Sequence, residues 1–175
     1  GKVIVPIGFS HDQANSVVIQ SDGKLVLAGF SSNAASGDDF SVIRLDELGA
    51  LDPTFGGDGK VIVPVGSGYD RARSVVVQSD GKIVLAGESW NGATAYDFSV
   101  IRLDVDGGLD QSFGNGGKLL VQVGSASGFD FANSVDVQSD GMLVLAGSSF
   151  GGANSDFSVI RLDELGALDP SFDGD

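Results

Sequence analysis

Apolar residues in this chain fall into short runs punctuated by Asp-Gly, and one pattern returns three times: residues 15–29 read NSVVIQSDGKLVLAG, residues 73–87 RSVVVQSDGKIVLAG and residues 133–147 NSVDVQSDGMLVLAG. Val, Ile and Leu flank Asp22-Gly23, Asp80-Gly81 and Asp140-Gly141, a dipeptide whose positive φ angles suit a tight primed turn between antiparallel strands. The pattern predicts one hairpin per repeat. Three units follow, 1–58, 59–116 and 117–175, each opening with Gly-Lys. Within a unit the spacing predicts four strands, which in the first are residues 2–6, 16–20, 24–29 and 40–46. The third of these carries Leu25 and Leu27 on one face and Val26 and Ala28 on the other. Such a strand is covered on both sides.

A small sheet buried on both faces, with a period of about 40 to 60 residues, is what the radial stacking of propeller blades requires. A β-trefoil also repeats threefold, but its units are shorter and its barrel wall gives cleaner apolar–polar alternation. A β-solenoid stacks parallel rungs, whereas Asp-Gly hairpins specify antiparallel neighbours. The expected fold is therefore all-β: propeller blades, as three four-stranded antiparallel repeats of about 58 residues, part of a larger or oligomeric propeller.

The fourth expected strand of each unit, read D-F-S-V-I-R-L-D, leads into LDPTFGGDGK, LDQSFGNGGK or LDPSFDGD. With S-V-x-V-Q-S-D-G-K-x-V-x-A-G before it, this order resembles the delta-60 repeat β-propeller family of bacterial proteins, over essentially the whole chain. The resemblance implies one four-stranded blade per unit and a setting in large secreted or cell-surface proteins; it implies no particular reaction. Closed propellers have about 4 to 8 blades, so three units imply further blades. Residues 172–175 set before Gly1-Lys2-Val3 approximate the internal junction at 55–61, and residues 2–6 then read as the outer strand of a blade whose other strands lie elsewhere. Two chains exchanging these strands would make a dimer with a six-bladed ring, and self-association by edge-strand exchange is the expected partnership.

Composition narrows the partners further. A net charge of −14, from 24 acidic and 10 basic residues, opposes nucleic acid and anionic membranes, whose phosphates need Lys and Arg. With no cysteine the chain has no disulfide, thiolate metal site or thiol nucleophile. No apolar run approaches the ~20 residues of a membrane span. The chain starts at Gly1 and has a single methionine, Met142, which reads as an excerpt, a processed product or a designed chain.

Chemistry-bearing residues are sparse. The lone histidine, His11, has Tyr69 and Phe129 as its counterparts, so no Ser-His-Asp set repeats. Asp104-Val105-Asp106-Gly107 has the look of an acidic calcium loop, but Asp46-Glu47-Leu48-Gly49 and Asp163-Glu164-Leu165-Gly166 lose the second aspartate and no bidentate Glu follows; a hairpin loop is expected. No cofactor and no metal site is expected. Arg44, Arg102 and Arg161 recur at one strand position, five residues after Asp39, Asp97 and Asp156. They are expected to bridge to a carboxylate or a loop carbonyl of the neighbouring blade. Phe55, Phe113 and Phe172 are expected to plug the gaps between blades.

The units differ at one end only. The Asp-Gly hairpins and the 46–59 connection barely change, whereas 8–13, 66–71 and 124–131, and likewise 31–38, 89–96 and 149–155, vary in sequence and length. Variable loops on a rigid scaffold are where ligand sites lie. This variable face collects Tyr69, Trp90, Tyr96, Phe129, Phe131 and Phe150, with Arg71 and Arg73 as its local positive charges, aromatics with polar neighbours that suit a glycan or protein ligand. A non-enzymatic structural or adhesive module is the first reading and a binding propeller the second. A central-channel enzyme is the weakest, since the inner strands offer only Asp136, in place of Val18 and Val76.

Overall fold

Each sheet grows from its Asp-Gly hairpin, and the turn differs from the expected one. Gly23 N–H donates to the Gln20 carbonyl (2.9 Å) and Gln20 N–H to the Lys24 carbonyl (2.8 Å), enclosing the three-residue loop Ser21-Asp22-Gly23. Only the glycine takes a positive φ, 86°; the Asp22 carboxylate instead accepts the Lys24 N–H at 3.1 Å. This is a type I turn closed by a left-handed glycine rather than a two-residue primed turn, and Gly81 (87°) and Gly141 (90°) repeat it. Packing selects it. The turn pairs Val18 with Val26, placing both on the face that meets the second sheet, and a one-residue slip would break that match.

The computed structural model describes residues 1–33, 37–92, 96–125 and 128–172, among which eleven β-strands and no helix form. The first sheet contains β1 (Asp12–Ile19), β2 (Leu25–Asn33), β3 (Gly37–Leu45) and β4 (Lys60–Val63). The second contains β5 (Asp70–Val77), β6 (Ile83–Trp90), β7 (Tyr96–Leu103) and β8 (Lys118–Val121), and the third β9 (Asp130–Val137), β10 (Leu143–Phe150) and β11 (Ser155–Leu162). All neighbours are antiparallel and follow chain order. These are propeller blades.

Two strand expectations need correction. Each complete blade takes its outer strand from the following unit, because β4 pairs with β3 (Phe40↔Val63, Ile43↔Lys60) and β8 with β7 (Phe98↔Val121, Ile101↔Lys118). Residues 2–6 form no strand, and the third sheet has three strands rather than four among the described residues. The reason is the ladder itself: in the internal copies this segment pairs with the strand preceding it in sequence, and the described residues contain no such strand ahead of residues 2–6. The variable segments are also less loop-like than expected, since β1 begins at Asp12 and β2 runs on to Asn33.

A bulge between Ala14 and Ser16, repeated between Ala72 and Ser74, bends the innermost strands. There the backbones nearly touch. A Cβ on Gly29 would sit 1.8 Å from the Gln13 carbonyl oxygen, and one on Gly87 1.9 Å from that of Arg71, which is why each pattern ends in Ala-Gly.

The core lies between blades. Val26, Ala28, Phe40, Val42 and Val63 of the first sheet meet Ala72, Val75, Ile83, Leu85, Ile101 and Leu103 of the second. Val84, Ala86, Phe98, Val100 and Val121 then meet Ala132, Val135, Leu143, Leu145, Ile160 and Leu162 of the third. Alternate residues of β6 thus serve two different interfaces, as the doubly apolar pattern requires.

Candidate functional site

At the constant end, the recurrent arginines and phenylalanines form a repeated lock between blades. Arg44 Nε donates to Asp52 Oδ2 at 2.8 Å, its Nη2 to the Thr54 hydroxyl at 3.0 Å and its Nη1 to the Val105 carbonyl of the next unit at 2.6 Å. Arg102 repeats this with Asp110 (2.7 Å), Ser112 (3.3 Å) and the Glu164 carbonyl (2.5 Å). The loop carbonyl of the neighbour is the expected partner; the carboxylate comes from the arginine's own unit. Each guanidinium lies over a phenylalanine, Arg44 4.7 Å from the centre of Phe55 and Arg102 4.6 Å from that of Phe113. Both rings are wholly buried, and each abuts the next unit's loop at Gly107 or Gly166, where a Cβ would approach the ring to about 3 Å. Gly56 and Gly114 N–H close the lock on the carbonyls of Asp106 and Leu165, both at 2.8 Å.

This wiring sets the charge states. The Thr54 hydroxyl, aided by the Thr54 N–H, Lys24 and Arg44, holds the Asp52 carboxyl far below the usual carboxylate range. Burial opposes the charge on Asp110, but Ser112, Lys82 and Arg102 outweigh it and hold that carboxyl equally low. Lys24 and Lys82 each reach their aspartate at 3.1 Å; the third hairpin has Met142 there. The Asp104–Gly107 segment is a tight hairpin loop, closed by Asp104 N–H to the Gly108 carbonyl at 2.7 Å, in agreement with the expectation.

At the variable end another aspartate recurs. Asp70 accepts the N–H groups of Val65 (2.7 Å) and Gly66 (3.0 Å), as Asp12 accepts those of Ile7 and Gly8 and Asp130 those of Val123 and Gly124. Burial pushes the Asp70 carboxyl up. Nearby, Glu88 is buried and clasped by Arg73 (2.7 Å to Oε1), and burial raises its carboxyl despite the arginine. Arg71 pairs with Asp38 at 2.6 Å and lies over Phe30, 4.9 Å from its centre.

Above these pairs lies an aromatic shelf. Tyr96 meets Trp90 edge-on at 5.4 Å and touches Phe129 (6.0 Å) and Phe131 (5.9 Å), which stack on each other at 6.3 Å. Arg73 lies over Phe131 at 5.7 Å and Arg71 near Tyr69 at 5.8 Å. Ser67, Gly68, Tyr69, Trp90 and Tyr96 line a shallow depression of about 380 Å³, at the small end of ligand pockets. Tyr69 and Phe129 stay half-exposed.

Of the sequence candidates, the structure thus gathers Tyr69, Arg71, Arg73, Trp90, Tyr96, Phe129 and Phe131. Phe150 stands at the end of β10 and makes no ring contact with them among the described residues; its carbonyl accepts from Ser125 at 3.0 Å. His11 packs edge-on against Phe30 at 5.5 Å, and the exposed Asp136 carboxylate accepts the adjacent Val137 N–H. Sequence reasoning missed the recurrent Asp12, Asp70 and Asp130, whose threefold repetition was the available signal. It also missed Asp38 and Glu88, which do not repeat as a set and so left none.

A family model described as "Domain of unknown function (DUF5122) beta-propeller" matches residues 20–55, 78–113 and 138–172, more than half of the chain. No curated protein sequence matches it. Among solved structures, an α-L-arabinanase of Cellvibrio cellulosa complexed with arabinohexaose is similar at 12% identity and a TM-score of 0.49, over 87% of this chain and 55% of that one. An α-L-arabinofuranosidase from Clostridium thermocellum is similar at 15% identity and a TM-score of 0.48, over 93% of this chain and 51% of that one. The chain spans about half the length of each.

Proposed function

Because the chain belongs to the DUF5122 β-propeller family, we propose that it is a non-enzymatic structural or adhesive module of a secreted or cell-surface bacterial protein. The observation that supports this reading is the engagement of its recurrent charged groups. Arg44, Arg102, Asp52 and Asp110 join blade to blade, and Asp12, Asp70 and Asp130 tie down loops. General acid–base work needs a group poised to exchange a proton near the working pH, and groups so engaged serve rigidity instead. The test is a panel of chromogenic glycosides, esters and phosphate esters offered to the purified chain. No turnover above buffer is expected. Turnover that co-purifies with the chain and disappears in Glu88→Gln or Asp136→Asn would overturn the reading.

The shelf favours a second role on the same scaffold, capture of a sugar or peptide chain. Flat rings beside hydroxyls and amides suit ligands with one apolar face and one polar edge. Trp90 is the only tryptophan and lines the depression, so its fluorescence reports occupancy directly. A saturable change with oligosaccharides or peptides, lost in Tyr69→Ala, is the expected outcome; an unresponsive signal across both ligand classes would dismiss this role.

A further inference from the structure

We propose that the open edge of β11 receives residues 2–5 of a second copy of this chain, as the outer strand of the third blade, and that two copies close head to tail into one ring. Residues 2–5 read KVIV, identical to β4. They already stand where β4 stands relative to the blade that follows it. Lys60 Nζ donates to the Pro6 carbonyl at 2.8 Å, as Lys118 Nζ donates to that of Pro64 at 2.6 Å. Asp12 holds the N–H groups of Ile7 and Gly8 as Asp70 holds those of Val65 and Gly66. Val3, Val5 and Ile7 line one cavity with Leu27, Ile43 and Leu45 of the first blade, as Val61, Val63 and Val65 pack on the second. The segment is therefore pre-positioned as an outer strand, and only its ladder is unmade.

The receiving edge is the counterpart. Phe40 and Phe98, which pair with Val63 and Val121, are fully buried, whereas Phe157 at the same position of β11 is 101% exposed. Val42 and Val100 are likewise buried while Val159 is exposed. Copying the internal register sets Phe157 opposite Val5, Ser158 opposite Ile4, Val159 opposite Val3 and Ile160 opposite Lys2. The flanks match too. Val17 is exposed on β1, where its counterpart Val75 is buried between blades. Arg161 and Phe172 carry the unclosed lock, with the ring 4.8 Å from the guanidinium and 40% exposed. In the dimer this lock meets the Glu47-Leu48-Gly49 loop, as Arg44 and Phe55 meet Val105 to Gly107. The occupant is thus a chain whose segment, flank and loop repeat the internal joints.

Light scattering on the 175-residue chain is expected to give twice its 17.8 kDa mass, and Phe157→Asp to return it to one mass with its strand circular dichroism intact. The absence of native cysteine permits a test of register. Val5→Cys with Phe157→Cys is expected to form an intermolecular disulfide under mild oxidation, since opposed Cβ atoms stand about 4.5–5.5 Å apart. Val5→Cys with Ile160→Cys is expected to form none. A folded monomer across the concentration range, open-ended larger species, or equal cross-linking of both pairs would overturn the proposal.

Discussion

The two ends of these blades share every strand and yet are built on different terms. At the two closed joints of the constant end, the rings of Phe55 and Phe113 are fully buried and the guanidinium groups of Arg44 and Arg102 have partners in their own unit and the next. At the variable end, rings meet at 5.4 to 6.3 Å, none of them fully buried, over ion pairs that differ from unit to unit. Repetition between units tracks burial at a joint. A loop that must fit its neighbour is held to one solution, whereas a loop that faces outward can change without disturbing the stack.

The sharpest way to break that contrast is to remove a ring from the joint. Phe113→Ala is expected to destabilise the fold by about 3–5 kcal/mol, the usual cost of deleting a buried aromatic, as read from urea midpoints. Next is Arg102→Met, which leaves Asp110 with Lys82 as its remaining cation and the Glu164 carbonyl without its donor. A loss of about 3 kcal/mol is expected, at the lower end for breaking a buried pair. Midpoints equal to wild type would mean that the lock is ornamental.

Acidity should separate the two ends in sign. In the middle blade the Asp110 carboxyl is held low, so its contribution is complete above its ordinary value near 3.9 and is lost as pH falls through the folded value. Burial raises Asp70 and Glu88, so theirs is complete below the ordinary values and is lost as pH rises through the folded ones. Asp110→Asn is therefore expected to flatten the acid limb of a stability–pH curve and Glu88→Gln to flatten the side toward neutrality. Identical limbs in both variants would erase the distinction. The smallest effect belongs to Trp90→Ala, about 1 kcal/mol for a partly buried ring contact at the variable end. A loss as large as that of Phe113→Ala would place the shelf in the core.

The blade architecture was legible because Val26 and Ala28 alternate with Leu25 and Leu27, so that neither face of β2 could be left wet. The turn type was not, since Asp-Gly satisfies both a primed turn and a type I turn with a left-handed glycine, and only packing between sheets selects the register. The origin of the blade was legible in part: a sixty-residue period has no natural start, but the likeness of residues 172–175 followed by 1–3 to the junction at 55–61 set residues 2–6 on another blade, the offset that β4 and β8 show. The arginine lock was legible as a class, while its carboxylate was not: Asp39 and Asp52 recur equally often in sequence, and only the fold brings Asp52 to Arg44. The shelf residues were named from loop variation, but which rings would touch depended on how far β6 and β7 extend into those loops.

The offset between sequence unit and blade also governs how the chain is made. Synthesis completes β3 at Leu45, but the edge of that sheet is covered only when Val63 has followed, roughly one to four seconds later at about 5–20 residues per second. Every blade thus waits, open-edged, for the beginning of the next. The connection Leu51–Gly59 that spans this interval carries Asp52 and Phe55, so the partners of Arg44 within its own unit are in place before the edge is covered.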